Sequence, residues 1–184
     1  MTITDPEVSL LASIAATIHD EDYVADVADP WEGSPFAWIK GRPSRQVGAI
    51  GEKLVAGWCA AKGFDVTAAQ STEADRVIHG YRVEVKFSTL WANGGYKFQQ
   101  VRDQAYDYLF CLGVSPVDAH AWLVPKASLF DHVIGHTGQH TGASGTDTAW
   151  LGFQSTAPPE WLDQFGGTLA AVAAIMNGLE HGRY

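Results

Sequence analysis

Only two residues, His79 and Gly80, separate the alternating segments Asp75 to Ile78 and Tyr81 to Phe87. A two-residue link containing glycine joins antiparallel strands in a tight hairpin and so sets their register. Ile78 faces Tyr81, Val77 faces Arg82, Arg76 faces Val83 and Asp75 faces Glu84. Strand side chains alternate with period two, so Arg82, Glu84 and Lys86 share one face and Tyr81, Val83, Val85 and Phe87 the other. One face is apolar; the other brings a carboxylate pair beside an ammonium.

The segments around this hairpin predict an α/β fold. From Arg45 to Lys62, Val47, Ile50, Leu54, Val55, Trp58 and Ala61 recur at intervals of three and four, and Gly63 follows as a stop. That pattern predicts an amphipathic helix. Its glycines Gly48, Gly51 and Gly57 each cost about 1 kcal/mol of helix propensity, which points to close packing or close approach by a ligand. Phe64 to Ala68 predicts a strand, Phe98 to Asp107 a second helix, Tyr108 to Val114 a buried strand, Ala119 to Val124 another strand and Lys126 to Val133 a short helix. A hairpin leading through a helix into a further strand gives a central mixed β-sheet flanked by helices, in the order αβββαβ.

Residues 1–43 read as an acidic helical appendage, with a helix-like run from Val8 to Ile18. Residues 44–134 form the core, and residues 135–184 supply a polar loop, His136 to Trp150, and a helical extension packed on the same domain.

The 184 residues, 46% hydrophobic by type, suffice for one buried core. Cys59 and Cys111 both lie in apolar runs, which offers no disulfide framework and fits a reducing cytoplasm. The longest apolar stretch, Thr168 to Met176, is too short to cross a bilayer. Net charge is −9, but it is segregated: residues 1–39 carry eight carboxylates and no Lys or Arg, and residues 40–102 carry ten of the twelve bases against five acids. A basic centre between acidic flanks allows a local positive field in an acidic chain.

Two facing carboxylates about 5 Å apart repel by roughly 3 kcal/mol at an effective dielectric of 20. Lys86 offsets part of this, and an oxygen-rich pair is also what a hard divalent cation such as Mg²⁺ requires. Exposed ion pairs, worth about 0–1 kcal/mol, are the bland alternative. The set Asp75, Glu84-Val85-Lys86, Glu52 in the preceding helix and Phe98-Gln99-Gln100-Val101-Arg102 resembles the PD-(D/E)XK nuclease superfamily, the restriction-endonuclease-like fold, from about Gly48 to Pro125. Ala74, rather than Pro, precedes Asp75.

The resemblance implies a Mg²⁺-dependent endonuclease of restriction or repair type acting on DNA, with Mn²⁺ as a substitute. Asp75, Glu84 and the main-chain carbonyl of Val85 would hold metal. Lys86 would orient the attacking water, Glu52 would reach the metal shell directly or through water, and Gln100, with Gln99 as the competing assignment, would support Lys86 or touch phosphate. Arg82, Lys97 and Arg102 supply phosphate attraction, and Gln139 and His140 lie in a loop suited to contact with bases or phosphates. Cutting two strands with one site per chain is simplest for a homodimer. A catalytically inactive binding or assembly module is the rival reading.

Overall fold

The computed structural model describes residues 3–18, 30–70, 72–136 and 148–181. Asp5 accepts hydrogen bonds from the backbone N–H groups of Glu7 and Val8 and Pro6 occupies the first turn, so helix α1 begins at Pro6 and runs to Thr17. After the short helix α2 (Ala37–Lys40), Pro43 leads into α3 (Ser44–Ala61). The strands are β1 (Val66–Ala68), β2 (Arg76–Ile78), β3 (Tyr81–Thr89), β4 (Gly95–Arg102), β5 (Tyr108–Val114), β6 (Ala119–Pro125) and β7 (Thr148–Gln154). Helix α4 (Lys126–His132) follows β6, and a 3-10 turn (Glu160–Phe165) and helix α5 (Leu169–His181) close the chain.

A five-stranded sheet runs β1-β2-β3-β5-β6, and β4 pairs with β7 in a separate two-stranded ribbon. The β3–β5 pair is parallel and the other pairs are antiparallel, so the main sheet is mixed and flanked by helices, as expected.

Alternation along the central strands divides the apolar side chains into two cores. On one face Val83, Val85, Phe110, Leu112, Ala121 and Leu123 pack under α1, α3 and α5. On the other, Leu109, Cys111, Trp122 and Val124 pack against Tyr96 and Phe98 of β4, Leu151 of β7 and Leu129 of α4. Each fully buried Leu or Phe stabilises the fold by about 1.5–3 kcal/mol. The N-terminal segment shares the first core: Val8, Leu11, Ala12 and Ala15 are buried there. Glu7 also accepts from the Trp58 indole N–H at 3.1 Å and pairs with Lys62 at 2.8 Å.

The second helix expected over Phe98–Asp107 is instead strand β4. The register of β4 against β7 slips between Phe98 and Val101, where a β-bulge places Gln100 at φ +57°. The extra residue turns Gln99 and Gln100 both outward and returns Val101 to the core, three positions after Phe98. Buried positions three apart imitate helical periodicity, which is why the segment reads as a helix. A non-glycine residue in the left-handed region costs roughly 1–2 kcal/mol, so the bulge is held by its surroundings. The polar loop expected to reach Trp150 ends earlier, because β7 begins at Thr148.

Candidate active site

The site starts with the turn. His79 and Gly80 both take positive φ, +49° and +74°, the conformation of a two-residue hairpin loop whose twist matches its strands. The register is the expected one for Ile78 with Tyr81, Val77 with Arg82 and Arg76 with Val83, but the ladder ends there, so the expected rung between Asp75 and Glu84 is not formed. One residue beyond the end of β2, the Asp75 N–H donates to the Val83 carbonyl at 3.1 Å, and the Asp75 carboxylate accepts the Val85 N–H at 2.8 Å. Asp75 therefore continues the ladder with its side chain and is held beside Glu84.

Glu84 is 8% exposed, and its Oε1 accepts from Lys86 Nζ at 2.7 Å. Burial pushes the Glu84 carboxyl pKa up, Lys86 opposes that, and the Asp75 carboxyl, within hydrogen-bonding reach, pushes it further up. Glu52 comes from α3. Its carboxyl pKa is likewise raised, first by burial and then by Asp75, with Arg76 opposing and Glu84 adding to the rise. Arg76 spans the two elements: its guanidinium lies 3.5 Å from the Glu52 carboxylate and donates to the Asp75 carbonyl at 2.7 Å. Glu52, Asp75, Glu84 and Lys86 thus share one electrostatic neighbourhood.

The donor set is all oxygen, which suits a hard divalent ion. Asp75 Oδ2 accepts from the Val85 N–H and Glu84 Oε1 from Lys86, and the two carboxyl groups lie within hydrogen-bonding reach of each other. A strand residue turns its N–H and C=O to the same side, so the Val85 carbonyl points to the side where Asp75 receives the Val85 N–H, past the end of β2. No three His, Cys, Asp or Glu side chains among the described residues could hold a metal ion. The residues that could hold such an ion are the Asp75 and Glu84 carboxyl groups and the Val85 carbonyl.

The other expected residues separate from this cluster to different degrees. Arg82 is paired with Asp107, which accepts from its backbone N–H at 2.8 Å and its guanidinium at 2.9 Å. Lys97 lies with its ammonium 3.5 Å from the ring centre of Trp150 and 5.0 Å from that of Trp91. Arg102 is exposed, beside a cavity also lined by Glu73 and Gln104. Gln100 is exposed on the ribbon, with no hydrogen bond among the described residues, so the expected support of Lys86 from a second helix is not formed. Gln139 and His140 lie outside the described residues.

Tyr106 is the residue missed from sequence. It is buried next to the site, its hydroxyl donates to the Arg102 carbonyl at 2.7 Å, and burial followed by Glu84 pushes its pKa up. Its place just before β5, opposite the acidic strand face, is the signal that was available.

No protein-family model matches the chain, and no curated protein matches it. Among solved structures, the chain is similar to a bacterial homing endonuclease at 13% identity and a TM-score of 0.48, over 77% of this chain and 100% of that one.

Proposed function

We propose that the chain is a Mg²⁺-dependent endonuclease of PD-(D/E)XK type that hydrolyses phosphodiester bonds of DNA. The observation that carries this reading is the approach of the Asp75 carboxyl, held at the edge of β3, to the Glu84 carboxyl and the Lys86 ammonium on the face of that strand. Two carboxylates pressed together in a half-buried place are costly, and a divalent cation between them removes that cost. Asp75, Glu84 and the Val85 carbonyl would hold the ion, with Mn²⁺ as a substitute. When bound, it supplies positive charge to the phosphate and the leaving oxygen. Lys86 orients the attacking water and steadies negative charge on the phosphate. Glu52 would reach the metal directly or through water, and Arg76 holds Glu52 and the Asp75 backbone in place. A homodimer would supply one site for each DNA strand; sedimentation with and without duplex tests this.

Plasmid cleavage in Mg²⁺ tests the reading. The native chain should nick and linearise DNA, and Asp75→Ala, Glu84→Ala and Lys86→Ala should each lose on the order of 10²-fold or more of that activity. Equal behaviour of all four chains would reject it. The 2.7 Å ion pair between Lys86 and Glu84 favours the second reading, a nuclease fold kept for binding without hydrolysis. A Mn²⁺ titration separates the two.

A further inference from the structure

The outward row of the β4–β7 ribbon has no role in the chemistry above. On β4 it presents Lys97, Gln99, Gln100 and Arg102, and on β7 Trp150. Neither Gly95–Arg102 nor Thr148–Gln154 contains an Asp or Glu, in a chain whose net charge is −9. The bulge sets two amides side by side where regular alternation would have buried one of them. Glycine would take the φ of +57° at Gln100 without steric cost. Glutamine instead keeps the strain and adds an amide with two donors and an acceptor. Neither the Gln99 nor the Gln100 side chain makes a hydrogen bond among the described residues.

The ribbon is also tied to the catalytic strand. Ser88, two positions beyond Lys86 on the same strand face, accepts the Lys97 backbone N–H at 3.0 Å through its hydroxyl.

We infer that the β4–β7 ribbon is the sequence-reading element of this protein and that it enters the major groove of duplex DNA. This rests on the reading of the chain as a DNA enzyme. A two-stranded ribbon fits the major groove, and a glutamine amide pairs there with adenine N6 and N7 at once; the minor groove offers no such distinction. Gln99 and Gln100 contact base edges. Lys97 and Arg102, on either side of them, contact phosphates and set the register. The Ser88 link holds the bases being read at a set distance from Lys86.

The test is selection of bound duplexes from a random-sequence library by the full chain in Ca²⁺, with the bound fraction sequenced. The native chain should enrich a motif containing adenine, and 7-deazaadenine at that position, which lacks the major-groove acceptor, should weaken binding. Gln99→Ala combined with Gln100→Gly, the latter suited to the bulge backbone, should lower the preference at that position by about tenfold. Arg102→Ala should weaken binding to all sequences alike. Circular dichroism of each variant should match the native chain. The proposal is overturned by the absence of any motif, an unchanged motif in the double variant, equal weakening of all sequences by that variant, or indifference to 7-deazaadenine. A chain that cuts duplexes with no preference overturns only the ribbon's role, and one that selects a motif but never cuts overturns only the nuclease reading.

Discussion

Gly51 of α3 lies so close to Phe87 of β3 that a Cβ at position 51 would stand 2.2 Å from the Phe87 Cβ. The helix therefore rests directly on the strand that carries Glu84 and Lys86, and the next residue, Glu52, is brought under the influence of Asp75 and Glu84. Gly51→Ala should force the two apart at a cost of about 1–3 kcal/mol. The melting temperature should fall by several degrees, and cleavage should fall with it because Glu52 is displaced. An unchanged melting temperature would show that the helix does not approach this closely.

Asp75 has two opposed effects on nucleic acid. In the proposed nuclease its carboxylate would repel phosphates in the absence of metal and yet be needed for the reaction. Asp75→Asn keeps an oxygen to accept the Val85 N–H and removes the charge. In metal-free buffer, fluorescence anisotropy should report tighter duplex binding by this variant, while the plasmid assay in Mg²⁺ reports loss of cutting. Weaker binding in metal-free buffer would place the phosphates elsewhere.

Arg82 holds the Asp107 carboxyl below its ordinary value of 3.8, mainly through their side-chain hydrogen bond. With the folded value lower than the unfolded one, the folded chain binds fewer protons across that window. The pair's stabilisation is complete above the ordinary value and lost as pH falls through the lowered one. Asp107→Asn should therefore flatten the acid side of the stability profile below pH 4 and leave its neutral-to-alkaline shape unchanged. Urea unfolding at a series of pH values reads this directly.

Lys97 is placed to serve both the fold and the ligand. Its ammonium over Trp150 contributes about 0.5–2 kcal/mol to stability as a partly buried cation–π contact. If it also neutralises a phosphate, Lys97→Met should lower the slope of log affinity against log salt by about 1. A loss of stability with the slope intact would confine Lys97 to the fold.

Much of this arrangement was legible in the sequence because the hairpin is local. A two-residue link and strict alternation specify which side chains of β2 and β3 meet, and β5 is marked by its apolar run and the Ser115-Pro116 stop. The glycines of α3 were a second legible signal. Gly51 meets Phe87 and Gly57 meets Ile14, so packing accounts for both, whereas a Cβ at Gly48 would meet nothing within 4 Å and the expected close packing is not formed there. The β4–β7 ribbon was hidden for a physical reason: its bulge spaces Phe98 and Val101 as a helix would, and its partner strand lies far along the chain, where local patterning carries no record of the pairing. Gln100, expected on a second helix to support Lys86 or touch phosphate, stands exposed on the ribbon. Glu52 sat at the border of its helix's apolar stripe, and only the tertiary approach of α3 to β3 brings it under the influence of Asp75 and Glu84.

The central claim concerns one point in space, between the Asp75 and Glu84 carboxylates. Crystals soaked in Mn²⁺ and measured for anomalous scattering test it most directly. The account predicts a peak within coordinating distance of both carboxylates and of the Val85 carbonyl, and the loss of that peak in Asp75→Ala. Fully ordered carboxylates with no peak between them, and the Lys86–Glu84 pair intact, would contradict it.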